Sequence, residues 1–175
     1  MRAIRLHAAN GPAGLSLDEI VAQWRRERPD LDVASLALVG RLLRTAQLAD
    51  LHLSSKVQQH GLQPGWFDLL AALRRSGKPF ELNPTQLMAA TMLSSGGVTK
   101  RLDRLARAGL IERRPDPGDR RGTLVRLTPA GRAAIDKTLE AHVANEDRLL
   151  RPLSATQRRT LDGLLRTLLA ELEEA

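Results

Sequence analysis

Residues 84–127, PTQLMAATMLSSGGVTKRLDRLARAGLIERRPDPGDRRGTLVRL, decide the fold. Asn83 stands before Pro84, and Gln86 follows at the third helical position. Cap, first-turn proline and reciprocal partner predict a short helix reaching about Thr91. Ser94-Ser95 caps a second helix that stops at Gly109. At ~100° per residue, Val98, Leu102 and Leu105 of that helix share one face, while Gly96, Lys100, Asp103, Arg104 and Arg107 point the other way. Leu110 to Arg114 and Thr123 to Leu127 then read as two strands around a loop rich in Pro, Gly and Asp, which predicts a β-hairpin. A short helix, a tight turn, a second capped helix and a basic hairpin, in that order, predict a winged helix-turn-helix.

Outward from this unit the chain is helical. Residues 1–14 read as a loose N-terminal arm. Ser16 with Glu19 forms a capping box for a short helix carrying Leu17, Ile20, Val21 and Trp24, ended by Arg28-Pro29. A long helix follows from about Asp32 to His60, with Leu36, Val39, Leu43, Ala46, Leu53 and Val57 as its predicted stripe and Gly61 as its stop. Pro64 opens a helix with Trp66, Phe67, Leu69, Leu70 and Leu73, ended by Gly77. On the other side, Thr128-Pro129 starts a helix to about Leu150. Pro152 breaks it, and Ser154 with Gln157 caps a last helix bearing Leu161, Leu164, Leu165, Leu168 and Leu172. The expected fold class is mainly α with a small β-hairpin, divided as 1–14, 15–62, 63–128 and 129–175.

The 175-residue composition narrows the function. Hydrophobic residues reach 42% but aromatics only 2%, so the core must rest on Leu, Ala and Val, which suits helices. No apolar run is long enough for a membrane span and no signal-peptide pattern opens the chain, which predicts a cytoplasmic protein. The absence of cysteine removes disulfides, thiol chemistry and Cys-ligated zinc. The histidines His7, His52, His60 and His142 have no tight metal spacing, and no cofactor is expected. SSGGVTK lacks the spacing of a phosphate-binding loop and no local nucleophile motif exists, so an enzyme is not expected.

Charge singles out the reading head. The chain carries +7, and residues 96–126 hold nine basic against four acidic side chains, or +5 of it. A helix with a small polar start, an apolar back and a basic front suits the major groove, and glycine at 96 and 97 would admit phosphate to backbone amides. Arginines at a hairpin tip suit a narrow minor groove, where Asp119 can orient a guanidinium. The candidate DNA contacts are therefore Ser95, Gly96, Thr99, Lys100, Arg104 and Arg107 on the helix, with Asp119, Arg120 and Arg121 on the hairpin. An ordinary solvated basic surface is the bland alternative, and a sequence-blind architectural DNA binder is another.

The stretch LSSGGVTKRLDRLARAGLIERRPDPGDRRGTLVRLTPAGR resembles the recognition helix and wing of the MarR family of bacterial regulators, with DRR and LTPAG as its most recognisable elements. The likeness runs from about Val33 to Leu172. It implies a homodimeric transcription regulator, expected to repress from an inverted-repeat operator. Intertwined N- and C-terminal helices would form its dimerisation lobe. The leucine-rich last helix agrees, since one small lobe would not readily bury it.

Three residues stand apart from DNA reading. Asp68 interrupts an apolar run, Arg101 lies ~60° from the centre of the buried face of its helix, and Arg113 sits in the first hairpin strand. An Asp68–Arg101 ion pair holding the recognition helix is one expectation. QWRRERPDLD, furthermore, resembles the N-terminal extension of the urate-responsive, PecS-like branch of the MarR family. That resemblance implies a ligand pocket formed by Trp24, Asp68, Arg101 and Arg113 and an aromatic anion, urate or a related purine, as effector. An indole face and guanidinium donors suit such an anion. For Trp24, a core-anchoring role is equally open.

Overall fold

The computed structural model describes residues 15–63, 65–91 and 95–174, with the backbone alone at 95, 96, 120 and 121. The expected arm 1–14, and Pro64 and Ser94 as helix starters, lie outside the described residues. The elements run α1 (Leu17–Glu27), α2 (Ala34–Gln59), α3 (Trp66–Arg75), β1 (Glu81–Leu82), α4 (Pro84–Ala89), α5 (Ser95–Arg107), β2 (Ile111–Asp116), β3 (Asp119–Leu127), α6 (Pro129–Leu149) and α7 (Ala155–Glu174). The chain forms two compact units, residues 1–52 and 53–175.

The helix starts follow from local chemistry. Ser16 Oγ accepts the Glu19 N–H at 3.2 Å, and Glu19 Oε2 accepts the Ser16 N–H at 2.6 Å. The Ser16 N–H, with the Ser16 hydroxyl beside it, stabilises the ionised carboxylate and holds the Glu19 pKa below its ordinary value. Asn83 and Gln86 make the same reciprocal pair at 2.8 and 2.9 Å, as do Ser154 and Gln157. Each box satisfies donors that the first turn would otherwise leave open.

In the first unit Val21, Val33 and Ala37 form a small core with Leu36 against it. Of the expected stripe of α2, Val57 is buried and Leu36 and Leu53 are half-buried. Val39 and Leu43 are exposed, along with Leu38 and Leu42, while Val33, Ala37 and Gly40 are buried. Most apolar residues in this part of α2 thus face outward.

In the second unit Leu69, Leu70 and Leu73 of α3 share a core with Leu87, Val98, Leu102, Leu105, Ile111, Val125, Leu127 and Ile135. The sheet has the order β1-β3-β2 and is antiparallel throughout. The strand β1, unexpected from sequence, pairs Glu81 with Arg126 and Leu82 with Val125. The hairpin is longer than expected, because Pro115 and Asp116 extend β2 and residues from Asp119 extend β3. Pro115 is tolerated because β2 is an edge strand, and the register shifts between Pro115 and Asp116.

The LTPAG segment closes this unit. Thr128 Oγ1 accepts the Gly131 N–H at 3.0 Å and donates to the Gly109 carbonyl at 2.7 Å. The Thr128 N–H reaches the Leu110 carbonyl at 3.1 Å. That same carbonyl lies where a Cβ on Gly131 would point, so glycine permits the start of α6 to approach the end of α5.

Candidate DNA interface and effector site

The helix α5 presents two faces, as its periodicity requires. Val98, Leu102 and Leu105 are buried in the core, and Thr99, Lys100, Arg104 and Arg107 are exposed. The side chain of Ser95 and the surroundings of Gly96 lie outside the described residues. Arg104 and Arg107 also border an open groove of about 550 Å³ with Gln63, Trp66 and Ala108. Two guanidiniums at the edge of an indole form a surface suited to phosphate or a flat anion. Sequence reasoning passed over Gln63 and Trp66. The apolar pattern of its helix places Trp66 in the core, and its 8% exposure agrees.

The wing is a tight hairpin. Asp116 pairs with Asp119 across Pro117-Gly118, and Asp116 Oδ1 accepts the Gly118 N–H at 2.8 Å. This Asx turn places residues 120 and 121 immediately after the tip. Asp119 is exposed. The side chains of Arg120 and Arg121 lie outside the described residues.

One expectation about the effector set and one about the DNA contacts are corrected. The expected Asp68–Arg101 ion pair is absent among the described residues. Asp68 is exposed, at the third position of α3 after the Gly65 N-cap, where its negative charge suits the helix dipole. Arg101 instead lies against backbone. A Cβ on Gly65 would stand 2.5 Å from its Nε, and a Cβ on Gly97 would collide with a terminal guanidinium nitrogen. The space beside Gly97, expected to admit phosphate, therefore holds the side chain of Arg101.

Of the two arginines expected at the effector site, Arg113 is engaged by an acid, Asp103, expected on the DNA-facing side. Its Oδ1 lies 2.7 Å from Arg113 Nη2, with both side chains partly exposed. The pair joins α5 to the first wing strand. Trp24 belongs to the first unit and is 45% exposed, whereas Val21 of the same helix is 4% exposed. A core-anchoring role therefore falls to Val21, and the indole of Trp24 keeps a free face.

A short capped helix, a turn, a second helix with a basic exposed face and an antiparallel wing define a winged helix-turn-helix DNA-binding regulator. The model of the MarR family matches residues 60–122. The HTH-type transcriptional regulator PecS of Dickeya dadantii is 42% identical over 151 residues, which is 86% of this chain and 91% of PecS. A mutant MarR of E. coli solved with operator DNA superimposes with TM-score 0.68 and 28% identity, covering 78% of this chain and 97% of that one. BpsR of Bordetella bronchiseptica, solved in work on regulation of its DNA binding by 6-hydroxynicotinic acid, gives TM-score 0.62 and 29% identity over 75% of this chain and 98% of that one. The chain belongs to the MarR family. These relatives are transcription regulators, not enzymes, and among the described residues no helix is long and apolar enough to cross a membrane.

Proposed function

We propose that the protein is a homodimeric repressor that binds an inverted-repeat operator and is released from it by a flat aromatic anion, with urate as the first candidate. The observation that carries this reading is the state of the two arginines. Arg101 is half-buried behind the basic face of α5 and has no acidic partner among the described residues. Arg113 is held by a single half-exposed carboxylate. Both guanidiniums sit on the elements that would touch DNA, so an anion drawing on them acts directly on the reading head. Regulation of BpsR by 6-hydroxynicotinic acid supports an aromatic acid as the ligand class, and the resemblance of QWRRERPDLD to the urate-responsive branch supports urate within it. The same resemblance adds Trp24 and Asp68 to the ligand set. Ser95, Gly96, Thr99, Lys100, Arg104 and Arg107 meet the major groove, while Asp119, Arg120 and Arg121 serve the minor groove.

Dimerisation is supported by the apolar surface that a single chain leaves open. No residue of α7 is buried, and Leu164, Leu168, Leu169 and Leu172 are 49–73% exposed. Such a face is covered in solution by another apolar surface. The test is operator binding with and without urate, compared with a scrambled duplex and with 6-hydroxynicotinic acid. Specific binding that urate weakens supports the reading. Equal affinity for both duplexes would make the protein an architectural binder, and insensitivity to urate alone would change the effector.

A further inference from the structure

We infer that Gly97 and Gly65 are positioning residues for Arg101: lacking a Cβ, they form the seat in which its guanidinium lies, joining the first turn of α5 to the N-cap of α3. The inference rests on the proposal that Arg101 serves the effector site, and it adds how that arginine is held before the ligand arrives.

The geometry is local. Long side chains on a helix lean toward its N-terminus and cover the residue four positions earlier, which for Arg101 is Gly97. A Cβ there would come within 3.1 Å of Cζ and closer still to one terminal nitrogen. Across the gap, a Cβ on Gly65 would lie 2.5 Å from Nε, 3.0 Å from Cδ and 3.1 Å from Cζ. Gly65 has φ +74°, a conformation that glycine adopts without strain. Gly97 needs no such freedom. Helix propensity alone favours alanine there by about fivefold in the folding equilibrium. A methyl there would meet the guanidinium, so glycine at 97 lets the arginine keep this position without shifting.

The seat holds by shape. Among the described residues no carboxylate pairs with Arg101, so an incoming anion gains a guanidinium without having to break an ion pair. Removing the arginine from its seat takes away the strut between α3 and the first turn of the helix that carries Thr99 and Lys100. The operator-binding and ligand-binding positions of Arg101 thereby become alternatives.

A double-mutant cycle on the full-length protein tests this. Gly97→Ala is measured alone and together with Arg101→Ala, by operator titration with and without urate and by thermal melting. With Arg101 present, Gly97→Ala is expected to weaken operator binding about tenfold and to shrink the effect of urate. With Arg101 removed, the three atoms nearest the added methyl are gone, and its effect is expected to fall below about twofold. Unfolding of Gly97→Ala that Arg101→Ala reverses supports the seat equally. The same loss in both backgrounds, or unfolding in both, would overturn it. If urate has no effect on the wild type while the cycle remains non-additive, the seat stands and the effector reading fails. If urate acts and the cycle is additive, the seat alone fails.

Discussion

Asp103→Ala is the substitution by which the effector reading is most open to measurement. The carboxylate lies 2.7 Å from Arg113 Nη2, with side chains 46% and 41% exposed. At that exposure solvent screening limits the pair to roughly 0.2–1 kcal/mol. If Arg113 must leave Asp103 to engage an anion, this amount is subtracted from ligand binding. Deleting the acid is then expected to tighten urate binding by about 1.5- to 5-fold. Alanine is the best helix former, so α5 itself is not weakened. Loss of a negative charge near an incoming anion acts in the same direction, and the Arg113→Ala background isolates it, because only the long-range part survives there. Isothermal titration of urate into the four proteins supplies the comparison. An unchanged or weaker affinity in Asp103→Ala would refute the reasoning. So would an equal gain with Arg113 absent, because the pair would then play no part.

Three further outcomes are expected. Replacing Arg120 and Arg121 by alanine is expected to reduce the log–log salt slope of operator binding by up to ~2 units, and an unchanged slope would remove the wing from the interface. Leu165→Glu with Leu168→Glu, on the open face of α7, is expected to yield a monomer in sedimentation at micromolar concentration; a wild-type profile would place the interface elsewhere. Gly131→Ala is expected to cost about 2 kcal/mol in chemical denaturation, because the new methyl strikes the Leu110 carbonyl and this exceeds the gain in helix propensity. A wild-type midpoint would show that α6 can shift freely at its start.

What could be read from the sequence was local. The boxes of Ser16 with Glu19, Asn83 with Gln86 and Ser154 with Gln157 close over three residues, so their chemistry is complete in the chain itself. The buried face of α5 was legible for the same reason, since Val98, Leu102 and Leu105 repeat at helical spacing. The strand β1 was not legible, because two residues, Glu81 and Leu82, become a strand only by pairing with β3. The hairpin runs past its sequence signal because Pro115 and the aspartates look like loop, and an edge position with a register shift accommodates them. The arginine partners were the largest miss. Helical angle alone set Arg101 near Asp68 and turned Asp103 toward DNA. The choice among acids depended instead on where β2 carries Arg113, a relation that helical spacing does not contain.

The two arginines of the candidate site are held by different forces, and the difference bears on how a ligand can act through them. Allosteric coupling between an effector and DNA commonly amounts to ~1–3 kcal/mol. The Asp103–Arg113 pair, partly exposed on both sides, can supply no more than about 1 kcal/mol of that. A release stronger than about fivefold therefore needs a second contact that differs between the two states. Arg101 offers one, since its guanidinium fills the gap between Gly65 and Gly97 and leaves a void there when withdrawn. Withdrawal forfeits the dispersion contacts of the side chain with both glycines and frees α5 to shift against α3. Shape at Arg101, more than charge at Arg113, is accordingly the term able to move the reading head.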